Sequence, residues 1–285
     1  MRVAIVNHPH IEQSQELAKR VAALLTEYGA DTVCACFDEA ETVLSSADVA
    51  VALGGDGTMI HVAKLAARSN IPLLGINCGH LGFMAGMESD ELSNLKRLVD
   101  GQYTVDERQM LEVLVENDEK GEIARFSALN EVAVSRGVMT HVASFTLFDR
   151  NKKIASYAAD GLLIATPTGS TAYSLSAGGP IVDPRVACFV ATPICPNALT
   201  DRPIVIGVDA ELTMQITPRH EDDRLYLSPD GEQGIEVGRN DRIRVRRHEQ
   251  TARFIRFTPN AFYDTLHEKM MARTVQVANN EKFEK

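Results

Sequence analysis

The chain has 285 residues, of which 45% are hydrophobic and 24% charged, and a formal net charge of −10. That length suits two domains with ample core, and the acidic balance argues against a nucleic-acid partner or an anionic-membrane surface. No apolar run approaches the roughly 20 residues that span a bilayer, and the five cysteines, at 34, 36, 78, 188 and 195, lack Cys-x-x-Cys spacing, as in reduced cytosolic proteins.

The opening Met-Arg-Val-Ala-Ile-Val enters a strand directly, so no signal peptide is expected and the protein is read as cytoplasmic. Val3 to Val6 is a short strand. A helix from about Glu12 to Tyr28 buries Leu17, Val21, Leu24 and Leu25, and Gly29 ends it. Thr32 to Phe37 is a second strand and Asp38 to Ser45 a short helix. From Ala47 to Leu53 every residue except Asp48 is apolar, the pattern of a strand covered on both faces.

Gly54-Gly55-Asp56-Gly57-Thr58 follows, and Thr58 is expected to cap a helix running to about Arg68. Strand, glycine loop and helix together present backbone N–H groups to a phosphate. An aspartate there repels the anion the loop attracts, so Asp56 makes sense as a partner of a metal ion or an attacking hydroxyl. The competing reading is an Asp-Gly turn pair. Ile71 to Ile76 is the next strand, leading into a second glycine-rich loop, Asn77-Cys78-Gly79-His80-Leu81-Gly82-Phe83, and a helix carrying Leu92, Leu95, Leu98 and Val99. Alternation of this kind implies a Rossmann-like parallel sheet flanked by helices. Both loops fall at the carboxyl ends of strands, where such sheets bind ligands.

After about residue 105 long helical periods disappear. Nine strands are expected, at Leu111–Glu116, Leu129–Ser135, Val142–Phe148, Ile154–Ala159, Leu162–Thr166, Pro203–Ile206, Leu212–Ile216, Leu225–Ser228 and Ile243–Arg246. The tail turns helical again, with Phe262, Leu266 and Met270 on one face. The expected organisation is an α/β domain over 1–104, a β-rich, sandwich-like domain over 105–255, and a helical tail over 256–285 packing back on the first domain.

Two further stretches carry chemistry. In Ala128–Val134 an amide and a carboxylate, Asn130 and Glu131, interrupt apolar residues. An amide pairs with the N6/N7 edge of adenine, and a carboxylate accepts from a ribose hydroxyl; an exposed strand edge explains them equally well. Asp160-Gly161 precedes Thr166-Pro167-Thr168-Gly169-Ser170-Thr171-Ala172-Tyr173-Ser174-Leu175-Ser176-Ala177-Gly178-Gly179-Pro180, a long uncharged run of hydroxyls and small residues through which a backbone approaches a ligand closely. Tyr173 offers a flat face for a base. There is no P-loop, and Ile60 stands where a dinucleotide fingerprint has its third glycine.

Together the glycine-aspartate loop, the Asn-x-Gly-x-Leu-Gly-Phe loop, Asn130-Glu131 and the run from Asp160 to Pro180 resemble the NAD kinase family over nearly the whole chain. The resemblance implies an α/β first domain, a β-sandwich-like second domain, and a homodimer or homotetramer. It also implies phosphorylation of the adenosine ribose 2′-hydroxyl of NAD, by ATP or polyphosphate, to give NADP. Asp56 then is the general base, with Gly57 beside it on the substrate. Asn130, Glu131, Asp160, Thr171, Ala172, Tyr173, Ser174, Leu175 and Ser176 form the dinucleotide pocket, and His61 and His141 lie near the ligand. Lipid kinases with a similar loop, and a non-enzymatic dinucleotide sensor, are the alternatives. A positioned base is worth about 10²–10⁴-fold, whereas phosphoryl transfer leans on alignment and metal charge. Mg²⁺ or a similar divalent ion is therefore expected to arrive with the donor phosphates. No dedicated metal cage is read from the sequence; His8-x-His10 is too thin, and Arg242, Arg244, Arg246 and Arg247 read first as a solvated face and second as a phosphate-attracting patch. The chain departs from the family pattern at Ala158, at Asn197 and at Glu232-Gln233.

Overall fold

The computed structural model describes residues 1–8, 11–78, 82–137, 142–220, 223–258 and 262–268. The chain divides into two compact units, 1–107 with 252–285, and 108–251.

The first unit begins with β1 (Arg2–Asn7), α1 (Glu12–Glu27), β2 (Asp31–Cys36), α2 (Ala40–Leu44), β3 (Val49–Gly54) and α3 (Asp56–Arg68). It continues with β4 (Leu73–Asn77), β5 (Met87–Glu88), α4 (Leu95–Val99) and β6 (Thr104–Arg108). Strands β3 and β4 are buried at every position, as their unbroken apolar runs require of strands covered on both faces. Helix α1 lays Leu17, Val21 and Leu25 on Val3, Ile5, Val51 and Leu53. Gly29 stops it with φ +92, a conformation a side chain would strain. The helix expected to carry Leu92 to Val99 is shorter: Leu92–Asn94 is a 3₁₀ turn and only Leu95–Val99 is α-helical.

The second unit holds β7 (Leu111–Asn117), β8 (Gly121–Ala128), β9 (Glu131–Arg136), β10 (Ala143–Asp149), β11 (Lys152–Ala159) and β12 (Gly161–Ala165). It adds α5 (Tyr173–Ser176), β13 (Cys188–Ile194), β14 (Ile204–Gly207), β15 (Leu212–Thr217), β16 (Leu225–Pro229), β17 (Ile235–Val237) and β18 (Asp241–Arg247). Two sheets result, in the orders β11-β10-β15-β18-β7-β8 and β14-β13-β12-β9-β16-β17. Neighbouring strands in both run antiparallel. Leu111, Val113, Phe145 and Met214 of one share a core with Val132, Leu162, Ile164 and Phe189 of the other, which makes the unit a sandwich.

Three of these strands escape the sequence pattern. Strand β8 is exposed or half-buried at every residue but its last, as its place at a sheet edge permits. Strand β13 is fully buried yet contains Pro193. That proline pairs with Leu162 on one side, while the β14 partners stop at Ala191, so the missing N–H costs no ladder bond there. Strand β17 is only three residues long.

The chain returns to the first unit with β19 (Ala252–Arg256), which runs parallel to β4 through Phe254 and Leu73. This strand, assigned to the second domain by a boundary at 255, thus belongs to the first unit. The first sheet is seven-stranded, ordered β2-β1-β3-β4-β19-β6 with β5 on β4. Residues 262–268 are helical, and Met270 lies outside the described residues. No helix among the described residues is long and apolar enough to cross a membrane.

Candidate functional site

In the first unit, Asp56 is the first residue of α3, directly beyond the buried β3. The helix is capped by the backbone of Gly55, with no side-chain cap, so the expected capping role of Thr58 is not realised. Thr58 is buried in the first turn instead, and a Cβ on Gly54 would come within 2.6 Å of its Oγ1. A carboxylate at a helix N-terminus is favourable by about 0.3–1 kcal/mol.

The second glycine loop reaches the same carboxylate. Phe83 N–H donates to Asp56 Oδ2 and Met84 N–H to Oδ1, each at 3.3 Å. Gly82 lies against Oδ1 so closely that any Cβ would overlap it. The two loops therefore meet at Asp56, the base candidate, which is half-buried between exposed Gly55 and Gly57. Among the described residues nothing lies within 4 Å of where a Cβ on Gly57 would stand, which leaves its backbone open to a ligand on that side. His61 sits farther along α3, stacked on Phe37 with ring centroids 3.8 Å apart and planes 18° from parallel. His141, His10 and the Gly79-His80-Leu81 part of the loop lie outside the described residues.

In the second unit, the start of β9 and the ends of β12 and β16 converge, because Glu131 pairs with Ala165 and Val132 with Pro229. Asn130 precedes β9 rather than lying within it, and Glu131 is its first residue. Both are buried, 8% and 5% exposed, so the exposed-edge reading fails. Asp230 holds this corner: its carboxylate accepts from the N–H groups of Leu129, Asn130 and Glu131 at 2.9, 2.7 and 3.2 Å. It does so from a left-handed turn conformation, φ +51, the kind aspartate tolerates. Thr166 adds Oγ–H to Leu129 O (2.6 Å) and its N–H to Asn130 O (2.8 Å), and Gly169 packs on Asn130 with no room for a side chain.

Two buried atoms are left over. Among the described residues, Asn130 Oδ1 and Glu131 Oε2 have no hydrogen-bond partner. Buried polar atoms are nearly always paired, so each exception calls for an explanation. Burial first, then the Asp230 carboxylate, push the Glu131 carboxyl up to about 8, against a hydrogen bond from the Tyr173 backbone that favours ionisation. At neutral pH this side chain is a neutral acid, able to donate as well as accept.

The hydroxyl-rich run splits by role. Thr168–Thr171 is a 3₁₀ turn and Tyr173–Ser176 a single helical turn. Ser170 and Ser174 point inward, Ser170 bonded to Val182 and Ser174 to Thr192 Oγ1 at 3.0 Å. Thr171, Ala172 and Leu175 are half-buried, and Tyr173 and Ser176 exposed. The Tyr173 phenol is pushed up by burial and, after it, by Cys195, Glu131 and Asp160. Asp160 precedes β12, at the opposite end of that strand from the Glu131 pairing, and forms an ion pair with Arg136 at 2.9 Å.

Two departures from the expected pattern are neighbours, since Asn197 N–H donates to Ala158 O at 2.9 Å. Glu232 and Gln233 are exposed in the turn after Asp230. The arginine row of β18 is exposed and matched by carboxylates: Arg242 with Asp118, Arg244 with Glu116, Arg246 with Glu112. It borders a concavity of about 620 Å³ whose lining includes Arg125, Arg150 and Glu211. Among the described residues no group of three or more His, Cys, Asp or Glu is placed to hold a metal ion.

Three residues that shape these sites carry no role in the sequence reading: Phe83, Met84 and Asp230.

Comparison with known proteins bears on both units. Residues 38–103 match the ATP-NAD kinase N-terminal domain and residues 129–257 the ATP-NAD kinase C-terminal domain. The chain is 35% identical to the NAD kinase of Caldanaerobacter subterraneus subsp. tengcongensis over 285 residues, 95% of this chain and 99% of that one. It is 42% identical to the NAD kinase of Symbiobacterium thermophilum over 224 residues, 78% of each. Among solved structures, yeast NADH kinase complexed with NADH superposes with a TM-score of 0.85 at 24% identity, covering 94% of this chain and 86% of that one. An NAD kinase from Archaeoglobus fulgidus in complex with ATP gives 0.76 at 24% identity, covering 94% and 98%. These two structures share the fold.

Proposed function

Because the chain belongs to the NAD kinase family, we propose that it transfers the γ-phosphoryl group of ATP to the adenosine ribose 2′-hydroxyl of NAD, giving NADP. Asp56 accepts the hydroxyl proton as the ribose oxygen bonds to phosphorus and the bond to the departing ADP breaks; the proton then passes to solvent. The observation that carries this role is the grip of Phe83 and Met84 N–H on the Asp56 carboxylate, which aims a fixed acceptor beside the open backbone at Gly57. A positioned base contributes about 10²–10⁴-fold, and the remaining acceleration comes from alignment.

The adenosine end is assigned to Asn130 and Glu131. Their unpartnered Oδ1 and Oε2 atoms are what a ligand rich in amino and hydroxyl groups would satisfy. The exposed ring of Tyr173 supplies a stacking face. The divalent ion is part of the donor in this reading, Mg²⁺ carried on the ATP phosphates, and no residue is assigned to it. Polyphosphate as a second donor, a cytoplasmic location and a homodimer or homotetramer complete the reading.

Purified protein incubated with NAD, ATP and Mg²⁺, and in parallel with polyphosphate, tests it through NADP formation read by an NADP-specific dehydrogenase. NADP accumulating with time and protein is expected. Absence of NADP while diacylglycerol or a sphingoid base is phosphorylated would establish a lipid kinase, and binding of NAD without turnover would establish a sensor.

A further inference from the structure

The peptide segment that holds Asp56 is itself held from behind. Arg256, the last residue of β19, has a side chain only 12% exposed. Its guanidinium donates to the carbonyls of Phe83 (3.5 Å), Met84 (3.1 Å) and Ala85. Asp106 Oδ2 lies 3.5 Å from its Nε, and the Phe254 ring lies under it with the guanidinium carbon 5.6 Å from the centroid. The loop runs hard against this strand: a Cβ on Gly86 would come within 2.6 Å of Ile255 O, and Gly86 N–H bonds to Gly75 O at 2.8 Å.

We infer that Arg256 is a positioning residue for Asp56, acting through the peptide groups of Phe83 to Ala85. A trans peptide points its C=O and N–H in opposite directions. The group joining Phe83 to Met84 turns its oxygen to Arg256 and its N–H to Asp56 Oδ1. One flat unit thus stands between a cation and a carboxylate. A cation at the carbonyl polarises the peptide, strengthens its N–H as a donor and fixes its tilt. A guanidinium suits the place because its planar fork offers several donors at once, whereas an ammonium is a point charge on a flexible stem. Asp106 and Phe254 hold the fork in register.

This inference rests on reading Asp56 as the base, and a double-mutant cycle separates it from a general loss of stability. Arg256→Ala should lower kcat for NADP formation by about 10–100-fold, the scale of a misplaced catalytic group, with the dissociation constant for NAD within about twofold. In an Asp56→Asn background the same change should lower kcat by less than about threefold, because there is no base left to misplace. Arg256→Lys should fall between, and added guanidinium ion should restore part of the Arg256→Ala loss. Equal losses in both backgrounds, or an unchanged kcat, overturn the proposal. Should Arg256→Ala not fold, Arg256→Lys and Asp106→Asn carry the same cycle. Should the wild-type protein make no NADP, the kinase reading fails separately. Amide exchange at Phe83 and Met84 then decides the positioning role: it should quicken in Arg256→Lys at an unchanged thermal midpoint, and unchanged exchange refutes the role.

Discussion

Gly82 lies so close to Asp56 that a methyl group in place of its hydrogen would overlap the Asp56 Oδ1 atom. The glycine is needed because one loop must pass within contact distance of the carboxylate that the other presents. Gly82→Ala should therefore displace Asp56 and lower kcat by about tenfold or more. Gly57, two residues into the α3 sequence beyond its Gly55 cap, has none of the described residues within 4 Å of its hypothetical Cβ. Gly57→Ala should leave the thermal midpoint unchanged or raise it, alanine being the better helix former by about 1 kcal/mol, while the KM for NAD rises. Steady-state kinetics and thermal melts on the two variants check the contrast; a Gly82→Ala enzyme with normal kcat would remove the steric argument.

Replacing the carboxylate itself separates chemistry from binding. Asp56→Asn keeps the size of the side chain and loses the proton acceptor. Its kcat should fall by at least about 10²-fold, while calorimetric binding of NAD largely survives. An unaltered kcat would assign the base to another group.

Glu131 predicts a pH dependence whose sign follows from its environment. In the folded chain its proton is retained up to about pH 8, whereas an exposed glutamate loses it near about 4.3. Between those values the folded state binds the extra proton, so stability falls as pH rises through that window, by at most about 1.4 kcal/mol per pH step. Glu131→Gln cannot ionise. Its stability relative to wild type should improve between pH 5 and pH 8 by about 2–4 kcal/mol, read by urea unfolding at the two pH values. A constant difference would show that Glu131 does not carry the slope.

Asp230 is both an anchor and a repulsive charge for that corner. Asp230→Ala strands the N–H groups of Leu129, Asn130 and Glu131. It should destabilise the second unit by several kcal/mol, at about 1–3 kcal/mol for each buried donor left unmade. Asp230→Asn retains one acceptor oxygen and removes the charge, so it should cost less and let Glu131 ionise at lower pH. Denaturant midpoints and the pH profile of unfolding distinguish the two variants.

Ser174 and Tyr173 are adjacent in sequence but should fail in opposite ways. Ser174 is fully buried and bonded to Thr192, so Ser174→Ala should cost about 1–3 kcal/mol of stability and leave the KM for NAD unchanged. Tyr173 is 41% exposed, so Tyr173→Ala should raise that KM with little change in melting. The reverse pattern would exchange their roles.

Much of this was legible in the order of residues. Unbroken apolar runs such as Val49–Leu53 mark strands buried on both faces, and the change from helical to alternating periods near residue 105 marks the change of architecture. Gly54-Gly55-Asp56 stood out as a candidate site because an anion among glycines conflicts with the loop's usual preference. These are local properties, and local sequence determines them.

What only the tertiary structure decided are the contacts across long separations. Asp230 lies 100 positions from Asn130 and Arg256 lies 172 from Met84. No period or motif links such residues; strand pairing brings them together, β16 beside β9 and β19 beside β4. Packing divided in the same way one run of small polar residues that no alternation could divide, turning Ser174 inward to Thr192 of β13 and leaving Tyr173 facing out. It also moved the return to the first unit to Ala252, because a five-residue strand with arginines at its second and last positions shows no pattern until β4 lies beside it.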